Sequence, residues 1–356
     1  MKVGILHNII SVHGGAGRFA LTLIRLLKEH GHEVVLATFD KPDWRRIENN
    51  LGYPPIIPDE CIWVFGGRLP IFGLYQRLFG GVMLSKKLGE KCDLTINTHS
   101  DYLFSNTDII YVHGIQDFKT WTKHSPLHKK VYYFPYRILN LRGFRDRGQT
   151  IIANSTYVAK KLSTTYGKVS SVIHPPIDVK RYNKLLSKDK EDLVLTIGRA
   201  SWEKNLEVLP EIISHTPEHI SFALVTSTNI AKNKILDRLR LHENERFKIY
   251  ANTSQDIKDG LIRKAKVYLH TSPYETFGIS IAECISAGLF PVMVNGGGHV
   301  ETFNSFGSIY DSLEEAGKMI EQSVKNWNYD QAKLISSRMD RFSEQRFARE
   351  MLNLIK

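Results

Sequence analysis

The chain has only three cysteines, Cys61, Cys92 and Cys284, and they form no Cys-x-x-Cys pair. That spacing supports neither a disulfide framework nor a structural zinc site, and reduced thiols are the expectation. No Asp-x-Asp pair occurs, so an obvious carboxylate clamp for Mg²⁺ or Mn²⁺ is missing. There is no Walker A sequence and no Gly-x-Ser-x-Gly elbow, the latter arguing against an α/β-hydrolase. The longest apolar region, Ile62 to Leu84, is broken by Arg68, Gln76 and Arg77, whereas a spanning helix needs about 20 uninterrupted apolar residues. At the N-terminus, His7 and Asn8 interrupt the short apolar stretch after Lys2, so no secretory leader is expected. Internal repeats and low-complexity tracts are also missing.

The 356 residues are 42% hydrophobic and 24% charged, which is globular composition. At roughly 150 residues per domain, the length points to two domains. Lys and Arg number 48 against 37 Asp and Glu, a balance of +11. Three anionic partners fit such an excess: nucleic acid, a membrane face or a phosphorylated small molecule. A basic protein with no such partner is the plain alternative.

Short apolar runs alternate with helical spacing along the whole chain. Lys2 to His7 reads as a strand and is followed by a loop with Gly14, Gly15 and Gly17. Arg18 to Glu29 then reads as a helix ended by Gly31, and Glu33 to Thr38 as a second strand. Further strands are expected at 93–97, 108–112 and 149–154. A second series is expected at 192–198, 221–226, 247–250, 267–270 and 290–294, with a helix near 205–213. Strand, helix, strand order means parallel sheets covered by helices. The fold class is therefore α/β, with two parallel units joined near His174-Pro175-Pro176. The tail from Tyr329 to Lys356 has helical spacing.

Three stretches could carry chemistry. In the first, a strand ends at His270 and a helix begins near Phe277 or Gly278, with Glu275 before it and Glu283 inside it. The start of that helix suits phosphate. Glu283 lies among Ile281, Ala282, Cys284 and Ile285, and a buried carboxylate needs a hydrogen-bonding partner, for which a pair of ligand hydroxyls would serve. A surface glutamate on an amphipathic helix is the alternative. In the second, Arg199 and Lys204 follow a strand and can converge on a diphosphate, or form an ordinary solvated loop. In the third, His113-Gly114 follows the strand at 108–112, with a structural histidine as the alternative.

These residues together resemble the retaining glycosyltransferases of family 4. Glu275 and Glu283 stand in E-x-F-G-I-x-x-x-E-x-x-x-x-G-x-x-P, ending at Pro291. The N-terminal glycine loop, His113, Ala153-Asn154-Ser155, Pro175-Pro176-Ile177-Asp178, Gly198-Arg199…Lys204 and Gly296-Gly297-Gly298…Glu301 stand in the family's order. The resemblance spans nearly the full length and implies a GT-B fold, two Rossmann-like α/β/α domains facing across a cleft. It places an acceptor-side domain at 1–172, with a crossover helix at about 338–356, and a donor domain at 173–337.

By that resemblance, Arg199 and Lys204 would bind the donor diphosphate. Glu275, with N–H groups near Phe277 and Gly278, would hold the donor sugar, and Glu283 the ribose hydroxyls. His113 would contact the sugar near the reacting carbon, and Gly15 and Gly17 would admit the phosphates. The implied enzyme is metal-independent and needs no cofactor beyond its nucleotide-sugar substrate. The wording around Tyr111 to Gly114, His174 to Asp178 and Phe277 to Cys284 is similar to α-1,2-mannosyltransferases that extend dolichyl-pyrophosphate oligosaccharides with GDP-mannose. The chain departs from them in lacking their N-terminal membrane helix and their Tyr-Pro after His-Gly, which would fit a soluble or peripheral enzyme using a different hexose.

The implied acceptor is a glycan, lipid-linked or in surface-glycan or N-glycan assembly. Lys119 to Arg147 holds eight Lys or Arg, six aromatics and one acidic residue, Asp146. With the aromatic-rich Ile62 to Leu84, it suits docking on an anionic membrane. A cytoplasmic enzyme, at the cytoplasmic face of a membrane, is the expectation. A GT-B-fold epimerase or phosphorylase and a basic nucleic-acid-binding protein are the alternatives, the last without any recognisable nucleic-acid module.

Overall fold

The structure, a computed structural model, describes all residues except 12–13, 66–72, 100–104, 116–126, 144–147, 229–231 and 356. Part of the expected membrane-facing sequence, Arg68, Leu69, Ile71 and Phe72 with residues 119–126 and 144–147, lies outside the described residues. The chain divides into two compact units, Met1–His174 with Glu350–Lys356, and Pro175–Arg349.

The first unit runs β1 (Lys2–Leu6), α1 (Gly15–Glu29), β2 (Glu33–Asp40), α2 (Trp44–Leu51), β3 (Glu60–Phe65), α3 (Gly73–Lys91), β4 (Leu94–Asn97), β5 (Ile109–Val112), α4 (Leu127–Gly143), β6 (Thr150–Ala153), α5 (Thr156–Tyr166) and β7 (Ser171–Val172). Its seven strands form one parallel sheet in the order β3-β2-β1-β4-β5-β6-β7. Helices cover both faces, so these strands are continuous apolar runs rather than alternating ones. Val3, Ile5, Leu6, Val34, Val35 and Leu36 are all fully buried. Polar residues set the helix starts: the Asp43 side chain accepts from Arg46 N–H, and the Ser155 side chain from Val158 N–H.

The second unit runs α6 (Val179–Asn183), β8 (Glu191–Arg199), α7 (Leu209–Ser214), β9 (Ser221–Ser227), α8 (Lys234–Arg240), β10 (Phe247–Ala251), α9 (Gln255–Lys264), β11 (Ala265–His270), α10 (Ile279–Ser286), β12 (Phe290–Val294), α11 (Gly297–Phe303), β13 (Ser308–Tyr310), α12 (Leu313–Asn326) and α13 (Tyr329–Ser337). α14 (Glu344–Ile355) ends the described chain. Six parallel strands lie in the order β10-β9-β8-β11-β12-β13. Successive residues of β8 feed opposite cores. Leu193 and Leu195 join Tyr268, Ile281 and Phe303 on one face, while Val194 joins Leu224, Val267 and Ile320 on the other. Fully burying each such side chain contributes about 1.5–3 kcal/mol.

The observed elements adjust the expected ones. α1 begins at Gly15, three residues earlier than its apolar spacing indicates, because Gly15 and Gly17 form its first turn. The helix expected near 205–213 is a 3-10 turn, Leu206–Val208, running directly into α7, and a separate 3-10 turn, Trp202–Lys204, precedes it. Asn205, at φ 50, breaks the regular spiral between them.

Candidate active site

In each sheet, strand order reverses at one place, and open parallel sheets bind ligands beyond the carboxyl ends of their strands at such a switch point. In the second unit this point lies between β8 and β11. Arg199 ends β8, the segment after it carries Lys204, and the segment after β11 carries Glu275. The structure brings two of these three together: Lys204 Nζ donates to Glu275 Oε2 at 2.6 Å, with side chains 22% and 18% exposed. Burial pushes the Glu275 carboxyl up, but the charge and hydrogen bond of Lys204, with His270 and His299 adding to them, hold it at about 2.

The two segments are fastened to each other through main-chain carbonyls. Thr271 Oγ1 donates to Lys204 O at 2.7 Å, and Ser272 Oγ donates to Glu203 O at 2.6 Å. Arg199 stands differently from the expectation that it converges with Lys204. Its guanidinium pairs with Glu203 at 3.2 Å and is 56% exposed, because the turn after β8 folds Glu203 back toward it.

Gly278 precedes α10 at φ 100, and a Cβ there would come within 2.6 Å of Ile281 Cδ1. Only glycine suits that entry to the helix. The Phe277 side chain packs in the core against Phe303 and Phe342, both with ring centroids at 5.4 Å, so only its backbone is placed to face a ligand. The glycine-rich segment before α11 lies over the Glu275 loop. Gly298 N–H donates to Glu275 O at 2.7 Å, and a Cβ on Gly297, at φ 69, would land on that same carbonyl oxygen.

Glu283 is 4% exposed, which rules out the surface-glutamate alternative. Lys258, which sequence reading missed, donates to its Oε2 at 2.9 Å. The demand of a buried carboxylate for a partner was legible, but a cation 25 residues upstream was not. Sequence reading also missed His270 and His299. Both are buried, their rings meet edge to face at 4.7 Å, and His270 Nε2 and His299 Nδ1 have no hydrogen-bond partner among the described residues. His299 Nε2 lies 2.9 Å from Val294 O, which fixes that nitrogen as the protonated one. Burial lowers both imidazoles below the ordinary histidine range, His270 well below it.

In the first unit the switch point lies between β1 and β4. His7 follows β1, and its Nδ1 lies 3.0 Å from Thr98 Oγ1 after β4. The His99 ring meets it edge to face at 5.4 Å. His113 follows β5 and packs against Phe19 and Tyr111, with centroids at 4.9 and 5.0 Å. Asn154 Nδ2 donates to its carbonyl at 2.7 Å. Burial, with a smaller contribution from His99, lowers His113 to about 3. Neither His7 nor His99 was singled out in the sequence, since only the sheet order reveals that they end neighbouring strands. Gly15 and Gly17 stand in the first turn of α1, with Gly14 before it in an extended conformation. Among the described residues, no cluster of His, Cys, Asp or Glu could hold a metal ion.

Residues 13–181 match the description Glycosyltransferase Family 4, and residues 180–335 match Glycosyl transferases group 1. A GDP-Man:Man(3)GlcNAc(2)-PP-Dol α-1,2-mannosyltransferase of Dictyostelium discoideum is 24% identical over 289 residues, covering 72% of this chain and 55% of that protein. The chain thus spans about half the length of that relative. The α-1,3/1,6-mannosyltransferase ALG2 of Saccharomyces cerevisiae is 21% identical over 362 residues, 85% of this chain and 71% of the relative. Anabaena HepE, solved in complex with UDP, superposes with a TM-score of 0.76 at 16% identity over 100% of this chain and 99% of that one. WaaG, a glycosyltransferase involved in lipopolysaccharide biosynthesis, does so with 0.73 at 13% identity over 100% of each. With two parallel α/β units of GT-B type matched consecutively by the two descriptions, the chain carries a glycosyltransferase family 4 domain followed by a glycosyl transferases group 1 domain.

Proposed function

We propose that the chain transfers a hexose from a nucleotide sugar, GDP-mannose or a UDP-hexose, to a glycan acceptor with retention of configuration. The observation that carries this reading is the Lys204–Glu275 pair at the strand-order reversal of the second sheet, beside the glycine-led start of α10. The ammonium suits the departing diphosphate, and backbone N–H groups at the helix start add fixed positive charge where negative charge develops. Arg199, released from Glu203, would add a second cation. In this reading Lys204 and Arg199 supply the charge a metal ion would otherwise bring. Glu275 holds the sugar hydroxyls and Glu283 those of ribose. The assignments of His113, Gly15 and Gly17 rest on the resemblance.

The acceptor in this reading is lipid-linked, and the first unit offers a surface suited to a membrane. On α3, Phe79, Val82 and Met83 are exposed beside the lysines Lys86 and Lys87. On α4, Leu127, Val131 and Phe134 are 60–76% exposed beside Lys130. The two helices touch: Tyr75 OH donates to Tyr132 O at 2.6 Å. Exposed apolar side chains interleaved with lysines match a headgroup layer of anionic lipid. No helix among the described residues is long and apolar enough to cross a membrane.

A thermal-shift screen against UDP-glucose, UDP-galactose, UDP-GlcNAc, GDP-mannose and ADP-glucose tests the donor. A ligand at 100 times its dissociation constant stabilises by about 2.7 kcal/mol. One or two donors sharing a base are expected to shift the melting temperature. No shift with any donor, alongside salt-sensitive binding of DNA, would replace this reading with that of a nucleic-acid-binding protein.

A further inference from the structure

Glu283 sits in α10 between Ala282 and Cys284, both fully buried. Its ion pair with Lys258 is sheltered too, the side chains being 6% and 14% exposed. Burial pushes the neighbouring Cys284 thiol well up, a sign of low polarity around the pair. Buried ion pairs of this kind seldom stabilise a protein more than apolar residues of similar size. Packing alone therefore gives no account of the lysine.

The helix that carries Lys258 is fixed along its length. At its start, the Ser254 hydroxyl accepts from Ile257 N–H. Asp259 accepts from Arg181 at 2.8 Å and from Gln255 at 2.7 Å. At its end, Lys190 Nζ donates to the carbonyls of Ile262, Arg263 and Ala265 at 3.1, 3.3 and 2.9 Å. The Lys258 ammonium itself lies 5.9 Å from the centre of the Tyr182 ring. A flexible side chain is thus presented to one carboxylate oxygen from a rigid base.

We propose that Lys258 is a positioning residue for the ribose end of the donor. By occupying Oε2, it holds the Glu283 carboxylate in one orientation, so that it accepts hydrogen bonds from the 2′- and 3′-hydroxyls. Charge-assisted hydrogen bonds in a site of low polarity are stronger than neutral ones, and they depend on direction. The inference rests on the assignment of Glu283 to ribose.

The test compares wild type, Lys258→Met, Lys258→Gln and Lys258→Arg by calorimetry. The probe is whichever of UDP, GDP and ADP wild type binds best, together with its 2′,3′-dideoxy counterpart. Wild type is expected to prefer the ribose form at least tenfold. Lys258→Met is expected to lose most of that preference, weakening the ribose form at least tenfold and the dideoxy form less than twofold. Lys258→Arg restores it, and Lys258→Gln, which keeps a donor without charge, falls between and serves if the methionine variant does not fold. Equal weakening of both ligands, or an unchanged preference, overturns the role of Lys258. No preference in wild type overturns instead the assignment of Glu283.

Discussion

Lys204 and Glu275 stand 2.6 Å apart, so the ammonium assigned to the donor diphosphate is already satisfied by a carboxylate. A diphosphate must therefore compete with Glu275 for Lys204, and the released carboxylate must find new donors. Sugar hydroxyls are such donors. A nucleotide sugar can satisfy both halves of the pair, whereas a nucleotide lacking the sugar satisfies only one.

Removing the cation is expected to lower turnover strongly. Lys204→Ala should reduce transfer by about 10²–10³-fold, the scale seen when one preorganised charge-stabilising group is lost. It should also destabilise the second unit, because Glu275 stays largely buried without its partner. Steady-state kinetics and thermal unfolding check the two effects separately. Transfer at the wild-type rate would remove Lys204 from the site.

Stability is expected to fall as pH drops below about 6.5. Burial keeps His7, His113 and His270 neutral in the folded chain. The unfolded chain then binds protons that the folded one refuses, so stability rises with pH across this range. Each such group contributes a slope of about 1.4 kcal/mol per pH unit. Glu275, held at about 2, adds a loss of the same sign as pH falls from its ordinary range toward that value. Urea unfolding between pH 4 and 8 measures the slope, and His270→Gln should flatten it. An unchanged slope in that variant would mean that His270 titrates normally.

Gly297→Ala is expected to be more disruptive than Gly31→Ala. Both glycines have positive φ, 69 and 78, but a Cβ at Gly31 meets open space while one at Gly297 meets the Glu275 carbonyl. Gly31→Ala should cost the about 1–2 kcal/mol of left-handed backbone alone. Gly297→Ala should cost more and should also weaken donor binding, because it pushes on the Glu275 loop. Melting temperatures and donor titrations of the two variants make the comparison.

Val131→Glu with Phe134→Glu is expected to reduce co-sedimentation with phosphatidylglycerol vesicles several-fold, leaving donor binding unchanged. Wild type should sediment less with vesicles of phosphatidylcholine alone. Retained binding in the double variant would separate membrane association from α4.

The strands were legible because parallel strands buried on both faces leave uninterrupted apolar runs. The 290–294 strand matches residue for residue. β3 was missed because its residues merge into a longer aromatic segment, and β7 because two residues carry no period. The site was legible where its residues share one stretch, as Glu275 and Glu283 do. His270 and His299 escaped because they come from different elements and meet only through the fold, and the turning of Arg199 toward Glu203 depends on the tight turn after β8, which no spacing reveals. Lys258 shows the same limit: a partner for Glu283 is expected from its buried surroundings, but nothing in the sequence names Lys258 as that partner.

The hydroxyls of Thr271 and Ser272 have a mechanical consequence. They tie the carbonyls of Lys204 and Glu203 to the segment that carries Glu275, so stretches of chain some seventy residues apart act as one splint. The separation of the two backbones that carry the charges is then set by hydroxyl reach. A diphosphate can draw the Lys204 ammonium away by rotating its side chain, but pulling the two segments themselves apart would mean breaking these short bonds.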